Sequence, residues 1–414
     1  MESKHLNKLI LVAALGYFVD IYDLVLFGME RVSSLTEILK GTIPDADLAK
    51  TVKEVGITLM NWQMFGMLIG GIFWGVLGDK KGRLSVLFGS IFVYSVANIL
   101  NGLVHQTSTY ALLRFISGFG LAGELGAGIT LVSESMSKEK RGYGATIVAS
   151  VGLMGAVVAG TVGIMIGNWR LSYIIGGVMG LLLLLLRIGV LESGMFNHVK
   201  ESTVEKGNFL SLFQSKKRFT KFITIILVAL PVWYVMGILI TLCPEIMKSL
   251  GMENPPQNAR LAMTLAYAGI TVGDVVSGLV SQKFKSRKKS LILFLLLTVV
   301  FTSCYFTFAK ISVTMFYTIV VLIGFATGYW AVFISTASEL FGTNLRATVT
   351  TSVPNFVRGG TILINTLFLF LANTLALENI KAAIIVGVIV FGLSFWAWYT
   401  LEETFDKDLD YVEE

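Results

Sequence analysis

Charge is scarce in this chain. Only 14% of its 414 residues are Asp, Glu, Lys or Arg, whereas 54% are hydrophobic and the mean hydropathy is +0.74. Soluble domains carry about 25% charged residues, and a single soluble core stops growing at roughly 250–300 residues. The shortage excludes an ordinary soluble enzyme, and it excludes a disordered chain, which needs the opposite balance. Cysteine is almost missing. Cys243 and Cys304 are the only two, both inside apolar runs, so there is no disulfide framework and no metal-ligand spacing. Histidine is equally rare: His5, His105 and His198 sit in or next to expected loops. No Ser-His-Asp or HExxH arrangement and no phosphate-cradling glycine loop occurs, so neither an enzyme, a cofactor nor a metal site is expected. The net charge of +6 does not point to nucleic acid, because the basic residues form short clusters between apolar runs rather than one stripe.

Long apolar runs are what the chain has instead. A spanning helix needs about 20 mostly apolar residues. Twelve segments qualify: 8–29, 56–78, 84–104, 108–134, 143–166, 171–191, 220–246, 259–281, 289–309, 312–339, 347–374 and 379–401. The N-terminus lacks a small-residue cleavage site and leads into an uncleaved first span. The widest gaps are 30–55 and 192–219. The second, with Lys200, Lys206, Lys216, Lys217 and Arg218, reads as a cytoplasmic linker. It separates an N-terminal six-helix bundle (1–191) from a C-terminal one (220–401), followed by an acidic tail (402–414). The Lys/Arg bias places both termini in the cytoplasm, in an inner (plasma) membrane. The fold class is an all-α membrane protein of twelve helices in two pseudo-symmetric bundles, acting as a monomer.

The halves echo each other. Ser133-Glu134 is followed by Arg141, and Ser338-Glu339 by Arg346, with Glu and Arg seven apart in both. The loop after span 2 reads GVLGDKKGR and that after span 8 GLVSQKFKSRKK. The stretch from Gly75 through Asp79 to Arg83 resembles the loop 2–3 signature of the major facilitator superfamily. Leu113-Arg114-Phe-Ile-Ser-Gly118-Phe-Gly120 is similar to its fourth-helix signature. The paired acids of span 1 (GYFVDIYDLVLFG), the Gly-Glu pair of span 4, SELFGTNLRA and FVRGG resemble the metabolite:proton, aromatic-acid:proton and phosphate:proton symporter branches. The phosphate branch usually has an Asp in span 7. Here that span reads ALPVWYVMG, which weighs against inorganic phosphate.

A charge inside the bilayer costs several kcal/mol unless paired or hydrated, so each one is a functional candidate. Asp20 and Asp23 share one helix face. At 1.5 Å per residue, Asp23 and Arg114 lie at matching depths of about 9 Å, which predicts a charge pair between spans 1 and 4. That pair is either a static tie or a proton switch, because desolvation disfavours a carboxylate and a guanidinium favours it. Asp20, deeper, is the favoured proton carrier, and Glu124 is a third candidate. Arg358, about 16 Å into span 11, is either a packing residue or a substrate-anion anchor. Asp274 is expected to pair with the basic loop at Lys283 to Lys289. Asp79, Arg83, Glu134, Arg141, Asp274, Glu339 and Arg346 are assigned to a cytoplasmic gate of weak salt bridges. Tyr17, Tyr22, Asn61, Gln63, Trp233, Tyr234, Tyr267, Tyr329, Trp330 and Asn355 are cavity-lining candidates. Tyr17, Gln63, Tyr234, Tyr329, Trp330 and Asn355 join Arg358 in the expected substrate site.

The expectation is a proton-coupled symporter taking up a small, anionic organic solute by alternating access, with the proton as coupling ion. The alternative is a proton-coupled exporter of a metabolite, siderophore or drug. It is disfavoured because Ala156 stands where exporters of the superfamily carry the Pro of a Gly-Pro motif. An uncoupled facilitator fits poorly with the buried carboxylates.

Overall fold

The computed structural model describes residues 2–81, 83–124, 141–191, 209–405 and 407, with side chains of residues 2–9, 79–84, 141–146, 188–191, 211, 343, 344, 346 and 347 left aside. Among the described residues there is no strand beyond a single bridge between Lys40 and Ile43. The protein is all-α. Among the described residues ten helices are long and apolar enough to cross a membrane. At the expected positions of spans 3 and 4 the helices are Arg83–Asn101 and Thr107–Leu121, the latter leading into residues 125–140, outside the described set.

In the first half, α1 (Glu2–Leu39), α2 (Asp45–Lys81), α3 (Arg83–Asn101), α4 (Thr107–Leu121), α5 (Arg141–Ile166) and α6 (Trp169–Leu191) follow one another. Helix α1 overruns its expected end at residue 29 by ten residues, so the gap expected at 30–55 shrinks to residues 40–44. The polar stretch that reads as a loop stays helical because its charges, Glu30 and Arg31, are buried and paired. Asp45 and Asp47 in the first turn of α2 complement that helix's positive end.

The second half holds α7 (Lys216–Tyr234), α8 (Arg260–Phe284), α9 (Arg287–Phe308), α10 (Val313–Thr327), α11 (Trp330–Glu339), α12 (Thr343–Leu369) and α13 (Asn379–Thr400). The span expected at 312–339 is two helices, broken at Gly328-Tyr329. Beyond Pro231, α7 widens into a π-turn over Val235–Ile240. Such turns mark functional sites more often than chance.

Glycine sets the closest approaches. A Cβ on Gly118 would lie 2.0 Å from the Gln63 carbonyl oxygen, bringing α4 against the backbone of α2. A Cβ on Gly273 would lie 2.0 Å from the Phe325 carbonyl oxygen, so α8 and α10 make the equivalent crossing in the second half. The halves meet mainly where α2 packs on α12 and α5 on α8. Large apolar side chains, Phe92, Leu182, Leu279 and Leu363 among them, cover the outer surface, as a lipid solvent permits.

The chain's end is latched onto the start of α9. Glu403 accepts from the Ser286 hydroxyl and from the backbone N–H groups of Arg287 (2.8 Å), Thr404 and Phe405 (3.0 Å each). Burial would raise this carboxyl's affinity for a proton, but the Ser286 hydroxyl and the amides outweigh it and hold its pKa below the ordinary glutamate value. A depressed carboxyl stabilises at pH above its unfolded value and loses that contribution as pH falls through the folded one. Glu403→Gln is expected to cost ~0.5–1 kcal/mol near neutral pH, because solvent screens so exposed a group. In thermal unfolding of the detergent-solubilised protein, the gap from wild type should close once pH drops well below the glutamate range. A pH-independent gap would refute the charged latch.

Candidate functional site

The charges of the spans are sorted into partnered and unpartnered sets. Glu124, at the end of the described part of span 4, is gripped by Arg187 of α6 through both guanidinium Nη atoms, and Arg187 also donates to the Leu87 carbonyl at 3.3 Å. Both side chains are buried, and the pair lies against Gly16 of α1, where a Cβ would collide with it. Glu124, a proton-coupling candidate, is thus one arm of a buried bidentate ion pair. Sequence reasoning gives Arg187 no role, although an Arg and a Glu toward the same end of spans 4 and 6 signal a pair.

Asp20 lies one turn along α1 from Gly16. It is fully buried, and neither carboxylate oxygen meets a hydrogen-bond donor. The charges bearing on it are Arg358, then Glu124, Asp23 and Arg187. Asp23, three residues on, is also buried, in space left by Gly176, with only the Asn98 amide beside it among the described residues. The expected direct pair with Arg114 is not made. Arg114 donates instead to Asn98 Oδ1 (2.6 Å) and Asn101 Oδ1 (3.2 Å), with its guanidinium 4.8 Å from the Tyr173 ring centroid. Two amides of α3 stand in the guanidinium's way. Asn98 bears on Asp23 as well, so it stands between the two charges. Tyr110 and Tyr173, joined hydroxyl to hydroxyl at 2.8 Å, and Ser34 extend this polar column toward the end of the bundle away from the termini.

Between the halves lies a void of about 30 Å³ lined by Tyr17, Trp233, Tyr267, Trp330 and Arg358, with Ile21, Leu24, Leu153, Val232, Met236, Ile270 and Thr327. Gln63 borders an adjoining void of about 20 Å³ and donates to the Leu24 carbonyl at 3.2 Å. These voids hold little more than a water molecule each, so the centre is contracted around its walls. Arg358 is the cation in the wall. Its Nη1 donates to Asn355 Oδ1 (3.3 Å), its Nε is buried without an acceptor, and its guanidinium lies 5.9 Å from the Trp330 ring. Asn355 does not line either void. It donates to the Ala122 carbonyl of the other half and to the Thr351 carbonyl, both at 2.9 Å, and so orients Arg358 across the seam. Tyr234 and Tyr329 also point elsewhere. The Tyr234 hydroxyl donates to the Ala383 carbonyl (2.8 Å) and the Tyr329 hydroxyl to the Val228 carbonyl (3.1 Å), each tying helices of the second half together.

Asp274 does not pair with the basic loop. Its Oδ1 accepts from the backbone N–H of Ala331 at 2.7 Å, at the start of α11, where span 10 is broken. It thereby fixes the turn carrying Trp330, whose ring faces Arg358. The expected gate is redrawn too. Glu339 pairs with Arg287 (2.9 Å) and accepts from the Thr404 hydroxyl (2.7 Å), all within the second half. Glu134 lies outside the described residues, as do the side chains of Asp79, Arg83, Arg141 and Arg346. Among the described residues, the ion pairs that cross the seam are at the opposite end. Glu30 of α1 meets Arg260 of α8 at 2.6 Å, and its neighbour Arg31 meets Glu245 at 2.7 Å while donating to the Thr241 carbonyl. Lys53 adds a bond to Asn379 at 3.2 Å.

Breaking a buried pair by removing one partner costs ~3–5 kcal/mol, so these pairs hold that end shut. Glu30→Gln or Arg260→Gln is expected to raise, by about tenfold or more, the alkylation rate of a cysteine at Met263, approached from that end. Glu30→Arg combined with Arg260→Glu should restore the slow rate. Unchanged rates in the single variants would show that the pairs do not seal the seam.

The sequence matches the Major Facilitator Superfamily over residues 14–353. It is similar to a sialic acid transporter of Escherichia coli, 28% identical over 290 residues, covering 68% of this chain and 66% of that protein. It resembles a gentisate transporter of Corynebacterium glutamicum, 25% identical over 359 residues (81% and 74%). A benzoate transport protein of Acinetobacter baylyi is 26% identical over 185 residues (43% and 37%). With a match over most of its length, an all-helical membrane architecture and a centre enclosed between its halves, the chain belongs to the Major Facilitator Superfamily and is a multi-pass membrane transporter rather than an enzyme.

Proposed function

We propose that this transporter takes up a small organic anion together with a proton, and that its solute is a planar, aromatic carboxylate. The observation carrying this reading is Arg358, a buried guanidinium with an unanswered Nε, set among Trp330, Trp233, Tyr17 and Tyr267. A guanidinium fork matches a carboxylate, and aromatic walls suit a flat ring. Similarity to gentisate and benzoate carriers supports the same chemistry. Inorganic phosphate would leave the aromatic walls without a partner.

The proton is assigned to Asp20. A carboxylate without donors is costly to bury, the neutral acid far less so. Arg358 is the first charge bearing on Asp20, so an arriving substrate anion that engages Arg358 withdraws the cation that would favour the aspartate's ionised form. Substrate and proton then bind as a set, which is what coupling requires. The halves, 1–191 and 220–401, rock about this centre. The termini and the 192–219 linker face the cytoplasm from the inner membrane, as the Lys/Arg bias supports.

In proteoliposomes, Arg358→Gln is expected to weaken benzoate or gentisate binding by about 100-fold, ~2.7 kcal/mol, with Arg358→Lys recovering only part. Equal affinity in wild type and Arg358→Gln would remove the anchor. Asp20→Asn should abolish uphill uptake driven by a proton gradient while leaving solute–solute exchange running. Proton-driven accumulation by Asp20→Asn would refute the carrier assignment.

A further inference from the structure

Among the described residues four tryptophans are at least nine-tenths buried: Trp74, Trp169, Trp233 and Trp330. An indole has one N–H that donates and nothing that accepts. Away from the centre the fold answers that N–H. Trp74 Nε1 donates to the Phe119 carbonyl at 2.7 Å, and Trp169 Nε1 to the Glu37 carboxylate at 2.6 Å. Even the less buried Trp398 donates, to the Lys288 carbonyl at 2.9 Å. Trp233 and Trp330 are the two that line the central void, and neither Nε1 meets an acceptor. Arg358 Nε, in the same wall, is a third buried donor without one. An unmade bond at a buried donor is destabilising, so its restriction to this wall calls for an explanation.

Both indoles sit where a helix is interrupted. Trp330 is the first residue of α11, just past the break at Gly328-Tyr329, and the bond from Ala331 to Asp274 fixes that turn. Trp233 lies two residues before the π-turn Val235–Ile240. The two approach the void from α7 and α11, and Arg358 from α12. Among the described residues no carboxylate lines either central void, and Arg358 is the one cation that does. A second carboxylate on the solute would enter without a cation of its own, which is costly at this depth. The group that answers an indole is therefore a neutral acceptor. Water can do so in an opened centre, but a solute that displaces the water and cannot reproduce its bonds loses affinity.

We propose that Trp233 and Trp330 are specificity-determining residues, whose indole N–H groups select aromatic carboxylates that carry hydroxyl groups on the ring over unsubstituted benzoate. The inference rests on the reading of Arg358 as the carboxylate anchor. A site built to hydrogen-bond a substrate group rejects the analogue that lacks it, because the site's own buried donors are then left unpaired. The shared chemistry is a neutral acceptor on the ring, which a hydroxyl oxygen or a ring nitrogen could supply. Two indoles on two helices call for two acceptors, and this assigns the role to hydroxyls, since a pyridine ring offers a single nitrogen.

The test measures, by titration calorimetry on the full-length protein in detergent, the affinities of benzoate, the methylbenzoates, the monohydroxybenzoates, gentisate and nicotinate. Wild type should bind gentisate and at least one monohydroxybenzoate about fivefold or more tightly than benzoate, the least that an unanswered buried donor costs. The methylbenzoates, similar in size but without an acceptor, should gain no such advantage. In Trp233→Phe and in Trp330→Phe the ratio of gentisate to benzoate affinity should fall toward one. Taken within each variant, that ratio is insensitive to a general loss of affinity. Trp74→Phe, which removes an N–H already answered by Phe119, should keep the wild-type ratio. Wild type binding benzoate as tightly as every hydroxybenzoate, or both wall variants keeping the full ratio, would overturn the selection. If nicotinate outranks all the hydroxybenzoates, the acceptor is a ring nitrogen and the hydroxyl assignment fails. Failure of every aromatic carboxylate to bind would sink the anchor reading and this one together, whereas binding of all of them without preference would sink this one alone.

Discussion

Glu30 and Arg31 are neighbours in the chain, and each is answered by an opposite charge from the other half, Arg260 and Glu245. Adjacent residues on a helix point about 100° apart, so two successive charges reach two different helices across one seam. Neither half alone could bury these four groups, since an unpaired charge in the bilayer is costly. The seam is therefore held by an electrostatic demand that both halves share. Everything central follows from the closure: the contracted void, the inter-half bond from Asn355 to Ala122, and the packing of α5 on α8. Because the demand can also be met by water, a hydrated opening of the same end is an accessible second state. This makes the clamp reversible in a way that a hydrophobic seam would not be.

The partnered and unpartnered groups divide the labour. Glu124 with Arg187, and Glu339 with Arg287, are closed pairs inside one half. Among the described residues Asp20 has no hydrogen-bond donor, and Asp23 has only the Asn98 amide beside it. A fold tolerates that cost where the group must exchange something. Asp20 stands between the fixed ion pair below it and the seam at Arg358, in a position to sense both. Asp23 instead faces the amide–guanidinium–tyrosine column of the first half.

Much of the fold was legible because the bilayer allows few solutions. Run length gave the spans, and the Gly-Asp-Arg signature gave the family. What was not legible concerns azimuth and helix ends. Hydropathy ends α1 at residue 29, since Glu30 and Arg31 read as solvent-facing. Only tertiary pairing reveals that they are interior. Depth arithmetic put Asp23 and Arg114 at one level but could not see Asn98 on a third helix. Tyr234 and Tyr329 have the right depth for a cavity and the wrong rotation. Among the site residues, Arg358, Trp330, Tyr17 and Gln63 do reach the central voids. Tyr234, Tyr329 and Asn355 line neither of these voids, because their polar atoms turn to backbone carbonyls instead.

The break in span 10 shows how the two kinds of chemistry meet. Gly328 has no room for a side chain, since a Cβ there would lie 2.5 Å from the Ile270 carbonyl oxygen and 2.6 Å from the Asp274 nitrogen. The N–H groups freed where the helix breaks need an acceptor. Asp274 supplies it at Ala331, one residue after the tryptophan that faces Arg358. Arg358 is in turn held by Asn355, whose amide reaches the first half. The guanidinium is thus positioned from one side by a broken helix and from the other by the opposing half of the molecule. Separating the halves would remove one of its two supports.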